Sequence, residues 1–136
     1  MASVQGIINA VKTALDASTT LTALDGGRHY EHTVPQRMVG TFPHLIYDLV
    51  SSEASKTFTG TDTLDGAELQ VDVYSDQRAG PAAARAIGDA VRAVLDQQTF
   101  TATGWNKVEF HALDFGKLSR EEDAYRIMLR FKVFAS

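Results

Sequence analysis

The sequence contains no cysteine, has only three prolines among its 136 residues, and nowhere approaches the ~18 consecutive apolar residues of a membrane-spanning helix. The first absence excludes disulfide frameworks, cysteine-ligated zinc, iron–sulfur clusters and thiol nucleophiles, and it leaves the redox compartment open. Basic residues are also in deficit. Lys and Arg number 13 against 17 Asp and Glu, a formal charge of −4 with neutral histidines, which argues against a surface that grips nucleic acid. It does not exclude a protein past which nucleic acid moves. Residues 1–16 carry no basic segment followed by an unbroken apolar run, so they read as no signal peptide, and a protein acting where it is made is expected. No membrane partner is expected. What remains is ordinary globular composition, 44% hydrophobic and 22% charged. It predicts one domain over residues 1–136, which at this size buries roughly two-thirds of its unfolded surface without a staple.

Val4, Ile7, Ile8, Val11 and Leu15 recur at helical spacing and predict a helix over residues 3–16. Ser18, Thr19 and Thr20 supply cap hydroxyls for a short helical turn closed by Gly26-Gly27. Residues 28–31 are consistent with a short strand, followed by an ordered loop to Pro43. Leu45 to Val50 alternate as a strand. Residues 51–66 are rich in Ser, Thr, Gly and Asp and read as a long mobile loop or the twisted tip of a hairpin, with residues 68–74 as the return strand. A second helix begins between Asp76 and Pro81, with Ala83, Ile87, Ala90, Val91, Val94 and Leu95 inward. Arg85, Asp89, Arg92 and Asp96 form a charged stripe on its other side. Strands follow around residues 107–112 and 125–133, joined by a turn over residues 114–123. The fold class is therefore α+β: a mostly antiparallel sheet of four strands or slightly more, two main helices on one face, and one long hairpin loop. The other face carries Asp48, Gln70, Asp72, Glu109, Arg126, Arg130 and Lys132, and with few edge protectors it is a candidate for joining subunits.

The residues offer little chemistry. His29 and His32 are three apart in a non-helical segment, unlike the four-residue helical spacing of a zinc motif. No serine stands on a G-x-S-x-G elbow, and neither phosphate-binding glycine pattern occurs. The carboxylates at 62, 65 and 121–123 lie in polar turns and read as solvated. Arg126, Arg130 and Lys132 could meet phosphate, but pairing with the Gln70 and Asp72 side of the sheet fits better. Phe58 is the one aromatic in a polar loop, either an anchor for a partner or folded back on its own domain. No cofactor and no catalytic residue are expected. The alternative is a small hydrolase or ligand-binding domain using His29, His32 and His44.

The order of segments says more than any one motif. Leu21-Thr22-Ala23-Leu24, Gly27-Arg28-His29-Tyr30, Val34-Pro35-Gln36, Phe42-Pro43-His44-Leu45-Ile46-Tyr47, Gln70-Val71-Asp72-Val73-Tyr74, the alanine-rich helix ending Ala90-Val91-Arg92-Ala93-Val94-Leu95, and Tyr125-Arg126-Ile127-Met128-Leu129-Arg130-Phe131 follow one another. This set resembles the tail-completion, or tail-terminator, family of long-tailed bacteriophages and prophages, with Gly80-Pro81 departing at the helix start. The resemblance implies a non-enzymatic virion protein at the head–tail junction, assembled in the host cytoplasm. Its relatives form a ring, commonly of six copies, that caps the tail tube protein and meets a head-completion or connector protein. DNA passes through without specific binding. A tail-tube or head-completion protein of the same assembly is a further alternative. On this reading Lys56, Thr57, Phe58, Thr59, Asp62, Arg126 and Arg130 are expected to face partners. A compact chain of 136 residues has a diameter of about 37 Å, and six such discs leave a central hole of similar width.

Overall fold

The computed structural model describes residues 4–51, 54–56, 62–114, 116–121 and 124–136. Two helices open the chain, α1 (Val4–Ala17) and α2 (Thr19–Asp25). Ile7, Val11 and Leu15 of α1 are fully buried, the face that the helical spacing predicts. Between the helices Ser18 caps α2, its hydroxyl accepting from the Leu21 N–H at 3.2 Å. Gly26 ends α2 in the left-handed region at φ 69°, where a side chain would be strained, and its N–H returns to the Thr22 carbonyl.

The strands are β1 (His29–Glu31), β2 (His44–Ser51), β3 (Ala54–Lys56) and β4 (Asp62–Asp76), then, after helix α3 (Pro81–Leu95), β5 (Gln98–Ala102), β6 (Trp105–Ala112), β7 (Lys117–Arg120) and β8 (Ala124–Ala135). The expected four strands are the long ones, β2, β4, β6 and β8. Four short strands extend them into an eight-stranded sheet of order β1-β2-β4-β8-β6-β5, with β3 on β4 and β7 on β8. Among the described residues only β1 and β2 pair in parallel. Within the segment at residues 51–66, Ala54 to Lys56 pair antiparallel with Leu64 to Asp62, and residues 52–53 and 57–61 lie outside the described residues. Likewise, the stretch read as a turn at residues 114–123 contains β7, which pairs with β8.

The long pair β4 and β8 forms a central ribbon whose two ends carry different neighbours. At one end Tyr30, Ile46, Asp72, Met128 and Lys117 lie side by side across β1, β2, β4, β8 and β7. At the other, Ala54, Leu64, Ala135, Val108 and Phe100 do so across β3, β4, β8, β6 and β5.

One face of this sheet meets the helices. Leu69, Val71, Val73, Leu129, Phe131 and Val133 are fully buried against Ile87, Val91 and Leu95 of α3 and the inward side of α1. Burying such a side chain fully stabilises by roughly 1.5–3 kcal/mol. Pro81 occupies the first turn of α3, where its missing N–H costs nothing, so the Gly80-Pro81 departure is compatible with the helix. The α3 charges differ from expectation in detail. Arg92 reaches Asp89 at 3.6 Å, whereas Asp96 accepts from the Ala112 N–H at 2.8 Å, fastening the helix end to β6. Ala84, not Ala83, is the buried alanine of the first turns.

Candidate functional site

The histidines have separate partners. His29 on β1 is buried, with Nδ1 2.8 Å from an Asp16 oxygen and Nε2 2.8 Å from an Asp25 oxygen. Carboxylates only accept, so both ring nitrogens carry protons and the imidazolium is the form held. Burial works against that charge, but the bonds and attraction of Asp25 and Asp16 outweigh it and raise the His29 pKa. Asp16 is correspondingly held below the usual carboxylate range: burial opposes this, and Lys12 and His29 outweigh it. Asp25, whose side chain is fully buried, also accepts from the Gly27 N–H at 2.9 Å. The triad ties α1, α2 and β1 together and leaves His29 no lone pair for a metal. Next to it, Tyr47 is pushed up to about 12 by burial, with Glu31 and Asp16 adding to the effect.

His32 is exposed and meets Asp48 at 2.9 Å. His44 is buried between the rings of Phe42 and Tyr74, at centroid distances of 5.2 and 5.1 Å, and its Nδ1 donates to the Thr41 carbonyl. Burial lowers its pKa, the Thr41 bond opposes this, and the Arg28 charge adds to the lowering. It floors a cleft of about 470 Å³ lined by Val34, Val39, Phe42, Tyr74 and Arg126 among others. Among the described residues no cluster of three or more His, Asp or Glu could hold a metal ion.

The open face is a lattice of local ion pairs. Arg126 donates through Nε and Nη2 to one Asp72 oxygen at 3.1 and 3.0 Å, and its Nη1 lies 3.6 Å from Glu121. Arg130 reaches Asp114 at 3.2 Å and Glu68 at 3.6 Å. Lys107 meets Glu109 at 2.6 Å. The arginines expected to face partners are thus on this face, each matched to carboxylates of neighbouring strands or turns. That is the pairing with the Asp72 side predicted from the alternation. A phosphate would have to displace these carboxylates.

Of the other expected interface positions, Lys56 and Asp62 are register partners at the described end of the β3–β4 pair. Thr57, Phe58 and Thr59 lie outside the described residues. The chain also presents two features that sequence reading missed, the His44 cleft and the uncharged edge strand β5. The Phe42-Pro43-His44 run was visible in the sequence. Nothing in it signalled that Tyr74, thirty residues on, would stack on that histidine.

Comparison with known proteins points to a structural role. A solved chain in the "Virion of native gene transfer agent (GTA) particle" matches with a TM-score of 0.73 and 26% identity, over 98% of this chain and 97% of that one. A search of curated proteins gives no match. The model of the family "Tail completion protein gp17" matches residues 9–136. With nearly the whole length matched, the chain belongs to the tail completion protein gp17 family and is a structural, non-enzymatic protein of the phage tail and particle.

Proposed function

We propose that copies of this chain form a ring, of six subunits, that terminates the tail tube and joins it to the head-completion or connector complex at the head–tail junction. The observation that carries this reading is the tail-completion match over residues 9–136. The size of the chain supports it, since one compact unit of 136 residues encircles nothing whereas six leave room for DNA. Charge supports it as well. Each copy is net negative, and DNA presents one negative charge per about 1.7 Å, so a lumen lined by such subunits repels the passing genome. In this reading the segment that includes Lys56, Thr57, Phe58, Thr59 and Asp62 meets a neighbouring subunit or adjoining ring. Arg126 and Arg130 lie on the face turned to other virion proteins.

Deleting residues 57–63 tests the assignment. The expected product is a folded chain that no longer supports joining of tails to heads, read by electron microscopy of assembly products. Normal joining after that deletion contradicts it.

A further inference from the structure

The edges of the sheet are not finished alike. β1 is three residues long, ends in charged Glu31, and is turned away at once by the Thr33 N–H bonding to the Glu31 carbonyl at 2.7 Å. β7 is four residues long and begins and ends with a cation, Lys117 and Arg120. Both carry the short length and charge that keep an edge from pairing with another chain. β5 differs. Gln98-Thr99-Phe100-Thr101-Ala102 contains neither charge nor proline, and Gln98, Thr99 and Thr101 are exposed. Its one irregularity, a shift of register between Phe100 and Ala102, leaves a regular run of three residues, Gln98 to Phe100. Among the described residues no strand pairs with its outer side. Beside it, Gly6, Ala10, Ala14 and Ala17 of α1 and Phe100 and Ala102 line an open groove of about 420 Å³, space for the side chains of an added strand.

The opposite edge at the same level is β3, three residues that match the regular run of β5 and carry their one charge at the far end, on Lys56; it is joined to β5 through the row Ala54, Leu64, Ala135, Val108 and Phe100. Each neighbour in that row is antiparallel, so the first and fifth strands run in the same direction. A subunit with two sheet edges that no described strand covers, at one level and on opposite sides, has the elements of a head-to-tail contact that closes into a ring. We infer that β5 receives β3 of a second copy as a parallel added strand, so that the sheets of neighbouring subunits join edge to edge. This rests on the ring reading and names its junction.

The absence of native cysteine makes the test clean. Ala54→Cys or Ser55→Cys is combined with Gln98→Cys or Thr99→Cys, neighbouring positions that cover both faces of each strand, and particles assembled under reducing conditions are then oxidised. Within one chain the two edges are four strand spacings apart, roughly 19 Å. A disulfide requires Cα atoms within about 7 Å, so it can form only between copies. The expected result is a ladder of cross-linked multimers from at least one pair, absent in every single-cysteine variant. Several copies per particle with no cross-link from any pair overturns the edge pairing and leaves the ring standing. One copy per particle overturns both.

Discussion

At the end of the ribbon that carries β1, β2 and β7, polar groups are satisfied within the chain: His29 lies between two carboxylates, Arg126 grips Asp72, and the short edges carry charge. At the end that carries β3, β6 and β5, the same two long strands lead to an uncharged edge with an open groove beside it. Both ends share one core, so the contrast is not between folded and unfolded parts. It lies in where each half finds its last partners. The first half is completed by its own side chains, and the second leaves backbone and small residues at an edge that no described strand covers.

The sharpest way to break that contrast is to remove its buried fastening. Asp25→Ala leaves the His29 cation with a single, half-exposed carboxylate and the Gly27 N–H without its acceptor, and losing one member of a buried pair costs about 3 kcal/mol. Urea denaturation should show that loss, and a change below about 1 kcal/mol would mean the triad fastens nothing. The same triad sets a pH signature. Because the folded His29 pKa is raised, its contribution is complete below the ordinary value of about 6.5 and fades as pH climbs through the folded value. Stability of the native chain should fall from pH ~6 towards pH ~9 more than that of His29→Gln; equal slopes would contradict the assignment. Asp16, with a lowered pKa, loses its contribution in the opposite direction, as acid protonates it.

A smaller effect belongs to the turn before β7. Gly116 sits at φ 97°, and a Cβ there would lie 2.9 Å from the Ile127 Cγ2 and 3.0 Å from the Leu129 Cδ2. Gly116→Ala should cost about 1–3 kcal/mol in thermal melts. Gly88→Ala in α3, whose Cβ would meet the same Ile127 atom at 3.4 Å, should cost less. Equal costs would show that the turn is not held tightly against β8. Arg126→Ala should have the smallest effect on folding, about 1 kcal/mol or less, because its pair with Asp72 is only partly buried. Loss of head–tail joining by that variant at nearly native stability would give Arg126 a role beyond the ion pair, and unchanged joining would remove it from the interface.

How far these features could be read beforehand depended on length and on distance along the chain. The long strands β4 and β8 alternate over enough residues to announce themselves, and α1 and α3 show their stripes plainly. β3, β5 and β7 do not, because three to five residues are too few to show a period and are strands only through their pairing with longer ones. The histidines show the same limit. His29 and His32 look like a couple in sequence, yet the first is held by residues from α1 and α2 and the second by Asp48 of β2. Arg126 and Asp72, 54 residues apart, were legible as partners because both follow from strict alternation on adjacent strands.

Amide hydrogen exchange along Gln98–Ala102, compared between the free chain and the assembled particle, tests the unfinished edge most directly. The account predicts that β5 exchanges readily in the free chain and becomes protected on assembly, while β1 and β2 keep the protection they already have. β5 protected to the same degree in both states, or left unprotected in the particle, would contradict it.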